Sequence, residues 1–327
     1  MAVMQAVLIA HPGDASVLEL SDVDDPRPGP GQLLIEVAAA GVNRADVAQR
    51  QGHYPPPPGA PAWPGLEVSG TVGELGPGAE ASGFAVGDRV CALLGGGGYA
   101  TRVVVDSGHV LPVPDSVDLV DAAGLPEVVA TVWSNVFQLA GLRSGETLLV
   151  HGGSSGIGTM AVQLGRAFGA RVAVTARSAE KLEACRELGA SILIDYTRDD
   201  FVERVQSEAG GADVVLDVVG GDYLDRNVAA LAVNGRIANI SSSGGPAALD
   251  LGALMRKRGT LRSTSLRARP DEEKAEIIRS VLEDVWPLLA DGRVRPVIGA
   301  RFPLADAADA HRLMESSAHI GKILLVV

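Results

Sequence analysis

The sequence predicts an α/β protein in which a doubly wound parallel sheet, residues 123–266, stands beside a barrel-like β unit built from 1–122 and 267–327. Three observations point there. The apolar run Leu148, Leu149, Val150 leads into His151-Gly152-Gly153-Ser154-Ser155-Gly156-Ile157-Gly158, a glycine-rich turn that opens a helix. Strand-like and helix-like segments then alternate as far as Ile240. Ahead of the turn, short apolar alternations are separated by Gly and Pro.

Within the first 122 residues the alternations at 4–9, 32–38, 70–75, 89–93 and 101–105 read as strands. Residues 25–32 and 54–64 are proline-rich loops, the second long enough to close over a site. After the glycine turn, Met160, Ala161, Leu164 and Ala167 recur at helical spacing over 159–168, and Gly169 ends that helix. A strand at 171–175, a helix at 179–188 closed by Gly189, a strand at 191–195 and an acid-capped helix at 199–208 follow. Next come a strand at 212–217, a helix at 223–231 and a strand at 236–240. Parallel strands joined by right-handed crossovers, a Rossmann sheet, are the expected product. Residues 260–266 read as its last strand, with an open edge. Residues 302–327 supply a helix and a final strand at 322–327, expected to return to the first unit.

A turn of this kind holds a pyrophosphate, because glycines let the backbone approach the phosphate oxygens and the free N–H groups at the helix start point at the anion. The spacing is G-x-x-G-x-G rather than the commoner G-x-G-x-x-G, and the flanking strand and helix give it its weight. A site for NAD places Asp or Glu about 20 residues beyond the glycines to bind the ribose 2′-hydroxyl. Thr175-Ala176-Arg177-Ser178 stands there instead. A carboxylate would repel a 2′-phosphate, whereas Arg177 offers a planar fork of donors, Ser178 a hydroxyl and Lys181 a further cation. Positive groups are mildly unfavourable at a helix start, so a ligand phosphate explains these two better than solvation does. The expected cofactor is NADPH.

With 46% apolar and 21% charged residues, both halves of the 327-residue chain should be ordered. A formal net charge of −12, without a basic run or an aromatic-interleaved basic patch, argues against nucleic acid as a partner. The apolar opening is too short to span a bilayer and lacks a basic leader, so a cytoplasmic protein with no membrane partner is expected. Cys91 and Cys185 have no Cys or His at metal-ligand spacing, which leaves neither a disulfide framework nor a structural zinc cluster. The six histidines, His11, His53, His109, His151, His311 and His319, are scattered and read as ordinary surface or loop residues.

The run Gly41-Val42-Asn43-Arg44-Ala45-Asp46-Val47-Ala48-Gln49-Arg50-Gln51-Gly52-His53-Tyr54 resembles the quinone oxidoreductase signature of the medium-chain dehydrogenase/reductase superfamily. So do Pro64-Gly65-Leu66-Glu67-Val68-Ser69-Gly70, Val86-Gly87-Asp88-Arg89-Val90, the 95–100 loop and the closing Gly321-Lys322-Ile323. The similarity spans the chain and is strongest towards the p53-inducible quinone oxidoreductase subgroup. It implies a GroES-like β-barrel-type catalytic domain beside the Rossmann domain, an active site in the cleft between them, and a homodimer paired through the last Rossmann strand. Zinc-dependent relatives carry Cys near position 43 and Gly-His-Glu where this chain has Gly65-Leu66-Glu67. Asn43 and Leu66 leave only Glu67, too few donors for a tetrahedral zinc, and no metal is expected.

The resemblance also puts Asn43 and Tyr54 beside the nicotinamide and substrate, and Thr131 at the nicotinamide carboxamide, making these three the expected catalytic residues. Tyr54 could donate to the substrate oxygen, form an aromatic wall, or merely cover the proline-rich loop. Asn43 could equally fold its own loop. No single general acid emerges. Ser155, Gly156, Ile157 and Gly158 are implied on the pyrophosphate, with Arg177, Ser178, Lys181 and Tyr196 around the adenosine phosphate. Val219, Gly220, Ile240, Ser241, Ser242, Ser243, Thr264, Ser265 and Leu266 are implied along the strand ends that line the groove, where a doubly wound sheet binds its ligands. The implied reaction is hydride transfer from NADPH to a small quinone or activated enone, whose developing oxyanion needs only hydrogen-bond donors or water.

Rival readings differ in identifiable residues. A short-chain dehydrogenase needs Tyr followed four residues later by Lys, but Tyr54, Tyr99, Tyr196 and Tyr223 are followed by Pro58, Val103, Asp200 and Asn227. An enoyl-thioester reductase would need basic residues for coenzyme phosphates. Arg256-Lys257-Arg258 with Arg262, Arg267 and Arg269 is the patch available, unless these are solvated charges or dimer contacts. A low-turnover NADPH-binding redox sensor is the third reading.

Overall fold

Apolar side chains on alternate positions make the N-terminal segments pair as strands. In the computed structural model, which describes residues 3–241 and 245–327, β1 (Val3–Ile9) pairs antiparallel with β2 (Leu18–Asp24). β3 (Gln32–Val42), the longest strand, is buried at nearly every position and leads into α1 (Arg44–Arg50). β4 (Glu67–Leu75), β5 (Arg89–Leu93), β6 (Arg102–Asp106), β7 (Val110–Pro112) and the helix α2 (Pro126–Val132) follow. Register shifts at Leu34/Ile35 and Val37/Ala39 bend β3, as bulges do.

The second stretch alternates strand and helix: β8 (Thr147–His151), α3 (Gly156–Ala167), β9 (Arg171–Ala176), α4 (Ala179–Leu188), β10 (Ile192–Asp195) and α5 (Phe201–Ala209). β11 (Ala212–Asp217), α6 (Tyr223–Ala230), β12 (Leu231–Asn239), α7 (Leu251–Lys257) and β13 (Thr260–Ser263) complete it. The six strands pair in parallel in the order β10-β9-β8-β11-β12-β13, with β13 on an edge. β8 is buried throughout, as a central strand covered on both faces must be. Leu149, Ala173, Ile192, Phe201, Val215 and Ile237 join one core.

The chain then returns through α8 (Asp271–Asp284), α9 (Trp286–Ala290), β14 (Ile298–Pro303), α10 (Ala307–Ser316) and β15 (Lys322–Val326). β15 inserts between β14 and β3 in a seven-stranded sheet that also holds β4, β5, β7 and β6. The chain thus divides into two compact units: one runs to Ala130 and resumes over Arg267–Val327, the other is Thr131–Leu266. The first carries more helix than its alternating pattern suggested, since α1 lies inside the Asn43 to Tyr54 run and α8 and α9 within the return. No helix among the described residues is long and apolar enough to cross a membrane.

Candidate active site

In the Thr131–Leu266 unit the glycine turn sits between β8 and α3. Gly152 takes a left-handed φ of 65°, and a Cβ on Gly158 would fall 2.3 Å from the Gly152 carbonyl oxygen, so neither position accepts an ordinary side chain. Ser155 is the N-cap of α3, its hydroxyl accepting the Gly158 N–H at 3.0 Å. Ser155, Gly156 and Ile157 are half-exposed at the positive end of a 12-residue helix, a cradle suited to a pyrophosphate. Beneath it, His151 bonds Thr175 Oγ1 at 3.1 Å and Asn227 Oδ1 at 2.7 Å, and Thr175 in turn receives the Gly152 N–H at 3.3 Å.

Arg177 follows β9, exposed, and Ser178 caps α4 by accepting the Lys181 N–H at 3.4 Å. Burial first, and then the adjacent Arg177 charge, hold the Lys181 ammonium below its ordinary pKa. Two cations close enough to repel one another suit a dianionic phosphate. Tyr196, 42% exposed, follows β10 and donates its backbone N–H to the Ala176 carbonyl at 3.2 Å.

The strand ends are tied by polar residues that sequence reasoning missed. Asp217 Oδ1 accepts the N–H groups of Val219 at 2.8 Å and Gly220 at 2.9 Å, while Asn239 donates to its Oδ2 at 3.2 Å and the Ile240 N–H binds its carbonyl at 3.0 Å. Ser241 follows Ile240; Ser242 and Ser243 lie outside the described residues. Beyond α2 the helix widens into a π turn, Trp133–Leu139. There the buried Asn135 donates to the Thr131 carbonyl at 2.9 Å and accepts from Thr264 Oγ1 at 2.6 Å. The last strand is shorter than expected: it ends at Ser263, and Ser265 and Leu266 lie past it, with the Leu266 side chain buried.

In the other unit, three strand ends meet. β15 runs beside β3 with Ile323 opposite Val42, and β4 lies on the other side with Val68 opposite Ala40. That register gathers Asn43, Glu67 and Lys322. Lys322 Nζ lies 2.5 Å from Glu67 Oε1, 2.7 Å from Asn43 Oδ1 and 3.0 Å from the Val42 carbonyl. Asn43 Nδ2 donates to Glu67 Oε1 at 3.0 Å, and Glu67 Oε2 accepts the Glu127 backbone N–H at 2.9 Å. Only glycine fits at position 41, where a Cβ would stand 2.2 Å from Glu67 Oε1. Burial and the nearby Glu67 charge push the Glu127 carboxyl up to about 8, so it holds its proton at neutral pH.

A buried hydrogen-bonded chain runs from this cluster. Asp46 Oδ2 accepts the Asn43 N–H at 2.8 Å and Oδ1 the Gly65 N–H at 2.9 Å; burial still outweighs both bonds and lifts its pKa to about 6. Burial and the Asp46 charge raise Tyr99 well above the usual phenol range. Tyr99 Oη lies 3.3 Å from Asp46 Oδ2 and 3.1 Å from His311 Nε2, and His311 Nδ1 lies 3.4 Å from Arg50 Nη1. Arg50 can only donate, so Nδ1 accepts, the imidazole proton sits on Nε2 and goes to Tyr99, and Tyr99 donates to Asp46. Arg50 ends the chain on the half-exposed Glu315 at 2.7 Å. The histidines thus need correcting: His109, His151 and His311 are buried and hydrogen-bonded rather than surface or loop residues.

Tyr54 is half-buried after α1, and Arg267 holds it. The Arg267 guanidinium donates to the Tyr54 carbonyl at 3.4 Å, Gly95 O at 2.8 Å and Gln49 Oε1 at 2.7 Å, and lies 5.2 Å from the Tyr54 ring centre. The proline-rich loop is pinned through Trp63 to Gly97 O at 3.0 Å and through Gln49 to Ala62 O at 2.8 Å. Arg267 is therefore no surface anion ligand. Lys257 and Arg262 are likewise turned to the backbone oxygens of Leu231 and Leu139.

Residues 29–115 match the alcohol dehydrogenase GroES-like domain and 188–325 the zinc-binding dehydrogenase domain. The chain is 32% identical to quinone oxidoreductase of Rattus norvegicus over 332 residues, 99% of this chain and 98% of the relative. A mycobacterial structure complexed with NADPH is 31% identical with a TM-score of 0.90, covering 99% of this chain and 100% of that one. Escherichia coli quinone oxidoreductase complexed with NADPH is 27% identical with a TM-score of 0.87, over 100% of both chains. A polyketide synthase subunit of Mycobacterium tuberculosis is 32% identical over 98% of this chain but only 14% of its own length. The chain belongs to the zinc-independent quinone oxidoreductase family of the medium-chain dehydrogenase/reductase superfamily. It is an NADPH-dependent oxidoreductase.

The zinc in the matched domain's description does not suit the donors present. Among the described residues no group of three His, Cys, Asp or Glu side chains could hold a metal ion, and both Glu67 oxygens are already engaged.

Proposed function

We propose that this protein is an NADPH:quinone reductase that passes hydride to quinones and activated enones without a metal. The observation that carries this reading is the cluster around Asn43: one amide held by a buried ammonium and a committed carboxylate, which can offer an oxygen a hydrogen bond but cannot make a Lewis-acid centre. Oxidation of a simple alcohol requires a stabilised alkoxide. A quinone or enone needs only orientation and a donor for the oxygen that turns negative.

When bound, NADPH supplies the hydride. The N–H groups of Ser155, Gly156, Ile157 and Gly158 would hold its pyrophosphate, and Arg177, Ser178, Lys181 and Tyr196 its adenosine phosphate. Thr131 and Thr264, linked by Asn135, would bound the nicotinamide end together with Val219, Gly220, Ile240 and Ser241. Asn43 and Tyr54 would orient the acceptor, Tyr54 being steadied by Arg267. Glu127, protonated at neutral pH, is a carboxylic acid beside the Asn43 cluster. We further propose a cytosolic homodimer paired through β13, because this edge strand follows α7, whose Leu251 and Met255 are 66% and 77% exposed.

NADPH absorbance followed with an ortho-quinone, a para-quinone, an enone and a crotonyl thioester tests the reading. Quinones should be reduced fastest. A faster crotonyl thioester would favour the enoyl-thioester reductase, which the polyketide synthase similarity supports. Tight NADPH binding without oxidation across the panel would favour the sensor.

A further inference from the structure

We propose that Lys322 is a positioning residue: its ammonium is a cation built into the chain that fixes which end of the Asn43 amide faces the acceptor oxygen. The ammonium has three N–H donors and three oxygens around it, the Val42 carbonyl at 3.0 Å, Asn43 Oδ1 at 2.7 Å and Glu67 Oε1 at 2.5 Å. Its donors are used up, and at 4% exposure it does not reach the substrate itself.

The consequence falls on Asn43. An ammonium can only donate and a carboxylate can only accept, so Lys322 and Glu67 together set the amide with Oδ1 towards the lysine and Nδ2 towards the carboxylate. The second Nδ2 hydrogen has only a long contact, 3.4 Å, to the Gly41 carbonyl. It is thereby kept as a donor. Without the ammonium only Glu67 still orients the amide, and once that carboxylate is neutralised as well the amide is free to turn over and present a lone pair, which repels an oxygen becoming negative. The inference rests on the reading of Asn43 as a residue that meets the acceptor.

The test compares wild type, Lys322→Met, the double variant Lys322→Met/Glu67→Gln, and Lys322→Ala. Removing one partner of a buried pair leaves an uncompensated charge, so Lys322→Met should lose roughly 5 to 10 °C in Tm, and the double variant should regain most of it. Both should keep the wild-type Kd for NADPH. Their kcat with a para-quinone should stay roughly 10- to 100-fold below wild type, with KM changed less. n-Butylammonium should raise the kcat of Lys322→Ala, whereas zinc should not. A double variant with wild-type kcat would reduce the lysine to charge balance and overturn the proposal, as would rescue by zinc. A wild-type protein that reduces no quinone would instead sink the functional reading.

Discussion

Arg177 and Lys181 hold two positive charges at the start of α4, where the helix dipole opposes them. On the proposed reading a 2′-phosphate offsets that arrangement, and an unphosphorylated ribose does not. Replacing Arg177 with Ala removes a charge-assisted bond of about 1.5 to 3 kcal/mol, so NADPH should bind about one to two decades more weakly while NADH binding barely changes. Fluorescence titration of both cofactors checks this; equal wild-type Kd values for the two would sink it. Other single residues hold their neighbours in place. Asp217 turns the end of β11, Asn135 ties Thr131 to Thr264, and Arg267 braces Tyr54.

At the scale of elements, the turn between β8 and α3 has the least tolerance. Gly158→Ala drives a methyl into the Gly152 carbonyl, which must displace the first turn of α3. NADPH affinity should fall at least about tenfold while the rest of the sheet stays folded. Calorimetric titration together with circular dichroism separates those outcomes, and unchanged affinity would show that the turn does not carry the phosphates. The β/α alternation was legible in the sequence because each central strand is a short apolar run bounded by Gly or an acidic cap. Strands β1, β3, β4, β5, β6 and β15 of the other unit were legible as well, and so was the helix α10, but α1 lay hidden in a motif read for chemistry, and the start and stop signals of α8 and α9, Pro270 with three acidic residues and then Gly292, were passed over. The candidate site was half legible. Its glycines and cations advertise a phosphate locally, whereas the Asn43, Glu67 and Lys322 cluster exists only through the β15-β3-β4 register. One hint was available: a lysine opening the run Lys-Ile-Leu-Leu-Val is a charge on a buried strand and demands a partner.

At the scale of the molecule, proton linkage enters through His311. Burial, and then the neighbouring Arg50 charge, depress its pKa to about 3 from 6.5. Because the folded pKa lies below the unfolded one, the neutral ring contributes stability that is complete above pH 6.5 and is lost as pH falls towards 3. Over that window the wild-type unfolding free energy should drop about 1.4 kcal/mol per pH unit more steeply than that of His311→Gln. Urea melts of both proteins across the range decide it; parallel slopes would mean that His311 is already charged in the native state.

The position of β15 in the seven-stranded sheet also bears on how the protein is made. Translation delivers every strand of the Rossmann unit, and most of the other sheet, before the ribosome reaches Lys322. The nucleotide-binding half can therefore close cotranslationally, while the 39–42 end of β3 waits for a partner about 280 residues downstream. Nascent chains stalled just short of that strand should be susceptible to protease in the first unit and resistant in the second.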